Sequence, residues 1–172
     1  RHARSLRAGI AITAQVRYEY TEKTGKLCST AAVTVADYTN SWTEWLRDAD
    51  AIVHVAFSSE LSASCNNARI AAEEFGNVTV VDSLNLSTGF GQLVLDAAIM
   101  AEEGYSPEEI AAEVERLVPK MDVSFVLNTL EYLRKGGRCT TIQALGANLL
   151  GLKPCIEVHD GKMGVAKKYR GK

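Results

Sequence analysis

The run TLEYLRKGGR, residues 129–138, carries an amphipathic helical stretch into two glycines and then presents Arg138. Leu130 and Leu133 fall on one side of that stretch, Glu131 and Arg134 on the other. Gly136 and Gly137 can take left-handed backbone angles that stop a helix, which lets the arginine approach a negative charge. A guanidinium offers two parallel donors to a carboxylate or phosphate; the plainer role is a solvated arginine ending a surface helix. Hydroxyls gather elsewhere. FSSELSAS, residues 57–64, places Ser58, Ser59 and Ser62 directly after an apolar run, and Asp82-Ser83 follows another. Hydroxyls and free N–H groups at a helix start suit an anion, because the helix dipole favours negative charge there. Thr30, ahead of Ala31 to Val35, adds a further hydroxyl. Serine at such a place also caps the following helix, so for Ser58 and Ser62 capping competes with ligand binding. Ser83 and Ser87 can equally line a turn.

The elements that must hold these residues show in the apolar pattern. AIVHVAF at 51–57, Val78 to Val81 and Val123 to Leu127 are short apolar runs of strand length, as in a sheet covered on both faces. Each precedes a polar pair (Ser58-Ser59, Asp82-Ser83, Asn128-Thr129) and then a helical stretch: Leu61 to Phe75, Thr88 to Glu103, Leu130 to Lys135. Strand, polar pair and helix, repeated, predict an α/β fold: an open, mostly parallel sheet flanked by helices. Ligands of such sheets bind beyond the carboxyl ends of the strands, where the three polar pairs fall. His54, inside the first run, is expected as a packed core residue. Helices are also predicted over Thr34 to Arg47 and over Pro107 to Val118, the latter with Ser106 as N-cap and Glu109 in capping-box position. Gly9 to Tyr20 alternates and is rich in Ile, Val, Thr and Tyr, which predicts a half-buried strand. Pro154 to His159, Asp160-Gly161 and Met163 to Tyr169 predict a β-hairpin, since Asp-Gly favours the tight turn. A hairpin appended to a parallel sheet marks part of a second lobe.

Four blocks, in order, resemble the DegV family, bacterial proteins that bind one fatty acid. TLEYLRKGGR and the later ALGANLLGLKPCIEVHDGKMGVAKKYRGK are similar to its core signature. Phe57 to Ser64 resembles its S-S-x-L-S-G-[ST] segment, and Asp82-Ser83 with Ser87, Gly89 and Gly91 resembles D-S-x-x-x-S-x-G-x-G. Glu102-Glu103-Gly104 and the helix from Pro107 also fit, so the resemblance runs from about Thr30 to the C-terminus.

The resemblance implies a DegV-like fold over residues 1–172, with an α/β core to about 150 and the start of a second lobe over 151–172. The family's opening strand with its Asp-Ser-Thr turn, and its final helices and strands, have no counterpart, so a chain truncated at both ends is expected. The implied function is to bind a long-chain fatty acid and present it to a separate fatty-acid kinase. That kinase makes the acyl phosphate for phospholipid synthesis. The chain is then a carrier and not an enzyme, with a fatty acid as ligand, a kinase subunit as partner, and no cofactor or metal. Carried over by motif, Thr30 and Ser59 (or its neighbour Ser58) hold the carboxylate and Arg138 lies near the head. Ser62 and Ser83 complete the implied ligand-binding set. Three departures bear on this. Where the family has T-S-x-P the chain has Thr30-Ala31-Ala32-Val33; where S-G-T is common it has Ser62-Ala63-Ser64; and Glu60 occupies a place usually small or uncharged. A glutamate near a carboxylate site repels the ligand unless it points to solvent.

Net charge of −2 gives no case for a nucleic-acid surface. No run of about eighteen apolar residues occurs, so no integral membrane segment is expected. Cys28, Cys65, Cys139 and Cys155 lack C-x-x-C pairing and histidines at ligand spacing, which argues against zinc. With no secretion signal they are expected as reduced thiols in the cytoplasm. An anion- or phosphate-binding small-molecule domain without lipid shares the helix-start logic and stands as the alternative. A serine hydrolase using Ser59 or Ser62 with His54 and Asp82 has the wrong residue order and no G-x-S-x-G.

Overall fold

The computed structural model describes residues 13–26, 28–127, 131–137 and 152–170. The chain forms two compact units, Arg1–Ala31 and Ala32–Lys172. In the first, α1 spans Ala14–Thr24. This corrects the strand expected up to Tyr20; its residues 9–12 lie outside the described residues. Thr13 caps the helix by accepting from the Val16 N–H, and Gly25 closes it at φ 65. Val16, Tyr18 and Tyr20 alternate as in a strand, but all three are exposed, and among the described residues no sheet face meets them. Local capping therefore decides the conformation.

The second unit begins with α2 (Val35–Trp45), started by a capping box between Thr34 and Asp37. Then follow β1 (Ile52–Ala56), α3 (Ser64–Ala72), β2 (Val78–Asp82), α4 (Ser87–Glu102) and α5 (Pro107–Leu117). The predicted Ser106–Glu109 capping box is present at the start of α5. β1 and β2 pair in parallel, Ile52 opposite Val78 through Ala56 opposite Asp82. Helices cover both faces of this pair. Val55 and Val81 pack with Leu93, Ile110 and Val114 of α4 and α5. Ile52, Val78 and Val80 pack against Trp42, Ala68 and Ala71 of α2 and α3. Burying a side chain such as Leu93 contributes about 1.5–3 kcal/mol. The alternation of strand side chains between two greasy faces is why both strands read as continuous apolar runs.

His54 sits on the α2–α3 face, its ring 5.2 Å from Tyr38 and 5.4 Å from Trp42, both edge-on. It is the core residue the sequence suggested. Burial lowers its pKa.

A 3-10 turn over Val118–Lys120 leads to β3 (Val123–Val126), followed by α6 (Glu131–Gly136), β4 (Leu152–His159) and β5 (Lys162–Arg170). Gly137 takes φ 72 directly after α6, as the double glycine suggested. β3 does not extend the parallel sheet: among the described residues it pairs antiparallel with β4, Val123 opposite Val158. Its burial alternates, with Val123 covered and Ser124 exposed, the mark of a sheet with one wet face. Ile156 is the buried centre of this sheet, packed on Phe125, Leu133, Met163 and Val165. The predicted hairpin is present, β4 to β5, turning on Asp160 (φ 47) and Gly161 (φ 77). Two consecutive positive φ values are what a type I′ turn requires. The α/β class, with a parallel sheet, flanking helices and a C-terminal hairpin, is thus observed.

Candidate functional site

The parallel register places Ala56 beside Asp82, so the two loops that leave β1 and β2 emerge side by side. The pairing continues past the strands: the Ser83 N–H donates to Ala56 O at 3.1 Å and the Ser58 N–H donates to Asn85 O at 3.1 Å. Ser58, Ser59, Ser62 and Ser83 are thereby brought to one end of the sheet.

Asp82 organises this end. Its Oδ1 accepts from the backbone N–H of Ser59 at 3.2 Å and of Leu84 at 3.0 Å, fixing both loops to one carboxylate. Its Oδ2 lies 3.7 Å from Arg69 Nη2 of α3. The loop after β2 is tightly wound, with Leu84 at φ 46 and Ser87 at φ 52. Left-handed non-glycine residues cost of order 1 kcal/mol each and tend to cluster at functional loops.

The hydroxyls differ in how they are used. Ser58 is fully buried and donates to the carbonyl of Gly161 in the hairpin turn at 2.8 Å. Ser83, also fully buried, donates to Asn85 O and accepts the Asn85 N–H at 3.1 Å, forming a local turn. Ser62 Oγ shares a 2.9 Å hydrogen bond with Ser64 Oγ and accepts the Ser64 N–H at the start of α3. Ser59 is half-buried, and its hydroxyl makes no hydrogen bond among the described residues. Its backbone is pinned while its side chain is left with a donor and an acceptor to offer.

Arg69 and Lys162 bring positive charge to these loops. Arg69 faces Asp82, and Lys162 Nζ lies 3.1 Å from Glu60 Oε2. Cys65 is buried beside Asp82: burial raises its thiol pKa, and the Asp82 carboxylate raises it further. His54 makes no hydrogen bond to any serine among the described residues. A cleft of about 370 Å³ opens on the hairpin side of Asp82, between Leu84, Asn85, Met121 and Val158. None of the four serines lines it. Among the described residues no cluster of side chains could hold a metal ion, and no helix is long and apolar enough to cross a membrane.

Thr30 is exposed and belongs to the first compact unit. Arg138, with Asn128 and Thr129, lies outside the described residues. The roles of Asp82, Arg69 and Lys162 were not readable in advance. Asp82 gave a faint signal as the acidic residue closing an apolar strand, whereas Lys162 gave none.

The family model described as "Uncharacterised protein, DegV family" matches residues 2–172. A DegV domain-containing protein of Deinococcus radiodurans is 33% identical over 164 residues, covering 95% of this chain and 58% of its own length. The solved structure of a DegV family protein from Thermus thermophilus, described by its fatty-acid binding, superposes with a TM-score of 0.85 at 34% identity. That match covers 95% of this chain and 59% of the Thermus chain. A DegV family structure from Ruminococcus gnavus, described with vaccenic acid, has a TM-score of 0.73 at 28% identity, covering 91% of this chain and 58% of that one. The chain thus spans somewhat under three fifths of the length of these relatives. A match across nearly every residue, with the same architecture, shows that the chain belongs to the DegV family.

Proposed function

We propose that this chain binds a long-chain fatty acid, with the carboxylate held by the hydroxyls of Ser59 and Thr30 and with Arg138 near the head group. The protein presents the bound acid to a separate kinase, which converts the carboxylate to an acyl phosphate for phospholipid synthesis. The chain acts as carrier and positions the head without performing the chemistry itself. One observation carries this reading: beside three serines whose hydroxyls are committed to the fold, Ser59 has a hydroxyl that meets no partner among the described residues, on a backbone fixed by Asp82. A donor fixed in this way needs little reorganisation to meet an anion. The Thermus relative is described by fatty-acid binding and the Ruminococcus relative with vaccenic acid, the ligand class that such a head-group site suits. Burial of an acyl tail contributes about 0.8 kcal/mol per methylene, so few polar groups are needed at the head.

Native mass spectrometry of the purified protein, followed by denaturing extraction, tests this. A stoichiometric acyl chain that is lost in Ser59→Ala or Thr30→Ala is the expected result. A protein that is empty, ignores added oleate and palmitate, and instead takes up inorganic phosphate points to an anion-binding domain without lipid.

A further inference from the structure

Glu60 sets a carboxylate one residue from Ser59, where an anionic head group would be repelled. The structure gives that charge a partner from far along the chain. Lys162, the first residue of β5, places Nζ 3.1 Å from Glu60 Oε2. The contact is built into the backbone on both sides. The Glu60 N–H donates to Ser58 Oγ at 3.3 Å, and the same Oγ donates to Gly161 O, next to Lys162. Gly161 has so little space that an added Cβ would lie 3.0 Å from Glu60 Cγ, so the turn lies directly against the glutamate stem. The side chains of Glu60 and Lys162 are 43% and 69% exposed, and an ion pair this open adds little to stability. Its consequence is for the field at Ser59.

We infer that Lys162 is a specificity-determining residue of the head-group site: by neutralising Glu60 it allows a carboxylate to bind beside Ser59. This rests on the fatty-acid reading above. Removing Lys162 exposes the Glu60 charge and weakens binding of anionic ligands, while removing Glu60 leaves a positive charge and strengthens it. Charge pairs near a protein surface interact strongly enough for a change of about three- to tenfold at low ionic strength, shrinking with added salt. A merely structural pair would behave otherwise, since loss of either partner would weaken binding alike.

The experiment titrates the full chain and its Lys162→Gln, Glu60→Gln and doubly substituted variants with oleate and with oleyl alcohol, in low and in high salt. The expected result is weaker oleate binding in Lys162→Gln, equal or tighter binding in Glu60→Gln, recovery in the double variant, and oleyl alcohol unchanged throughout. Failure of the unsubstituted protein to bind oleate overturns the fatty-acid reading together with this inference. Oleate binding by the unsubstituted protein, with Lys162→Gln unaffected or with both single variants weakened alike, overturns this inference alone.

Discussion

Ser58 Oγ donates to the carbonyl of Gly161 at 2.8 Å, joining the loop after the first parallel strand to the turn of a hairpin 103 positions later. Neither partner is replaceable by its nearest relative. Gly161 has φ 77, and a Cβ there would come within 2.7 Å of the serine oxygen. Ser58 is wholly buried, so without its hydroxyl the Gly161 carbonyl loses its partner. The contact ties the hairpin to the loop that carries Ser59.

Gly161→Ala and Ser58→Ala are therefore each expected to destabilise the protein by about 1–3 kcal/mol, from steric strain in one and an unmade buried hydrogen bond in the other. At roughly 2–4 °C per kcal/mol for a domain of this size, thermal melting should fall by several degrees in each. The double substitution should cost less than the sum, because losing the hydroxyl relieves the clash. Strict additivity in melting experiments would mean the two residues are not coupled as described.

The two glycines of the S-x-G-x-G segment should behave oppositely. A Cβ on Gly89 would collide with Val123 Cγ2 and lie 2.5 Å from Asn85 Oδ1, whereas nothing lies within 4 Å of one on Gly91. Gly89→Ala is expected to cost about 1–3 kcal/mol through overpacking. Gly91→Ala should stabilise α4 by up to about 1 kcal/mol, the difference in helix propensity. Urea denaturation of the two variants checks both signs.

Asp82 holds two backbone N–H groups, and the two nearest substitutions separate that role from its charge. Asp82→Ala leaves the amides of Ser59 and Leu84 without their acceptor and should cost about 2 kcal/mol or more. Asp82→Asn keeps an oxygen in place and should cost clearly less. Hydrogen exchange read at the Ser59 and Leu84 amides should quicken strongly in the alanine variant and only slightly in the asparagine variant. Equal exchange in both would show that the contact with Arg69 is what holds the loops.

His54 gives the fold a dependence on acid. Burial depresses its pKa below the unfolded value of about 6.5, so the unfolded chain binds the extra proton first. The contribution is whole above that value and is lost as pH falls below it toward the depressed folded pKa. Stability measured from pH 7.5 down to 5 should decline, and the decline should be shallower in His54→Gln. A slope unchanged by the substitution would assign the acid sensitivity to other groups.

The features that could be read in advance are those written within a few residues. The capping box of Ser106 and Glu109, the apolar runs of β1 and β2, the Asp-Gly turn and the glycine stop after α6 each depend on contacts inside one element or one turn. Periodicity misled at Val16, Tyr18 and Tyr20, where a two-residue alternation lies on a helix, because alternation reports a strand only if a sheet face awaits it. It was also blind to partners. Val123 to Val126 reads as a strand either way, and only pairing with β4 makes it antiparallel.

Residue types and order therefore established that hydroxyls follow each parallel strand and that a hairpin closes the chain. They could not distinguish Ser58 from Ser59. Folding does so, because a hydroxyl's function depends on which groups reach it: Gly161 satisfies Ser58, Asn85 satisfies Ser83, and Asp82 fixes the Ser59 backbone while no described residue pairs with its side chain. The same long-range closure brings Lys162 to Glu60. Chain neighbours are set by covalent geometry, but hydrogen-bond and charge partners are set by packing, which no local pattern encodes.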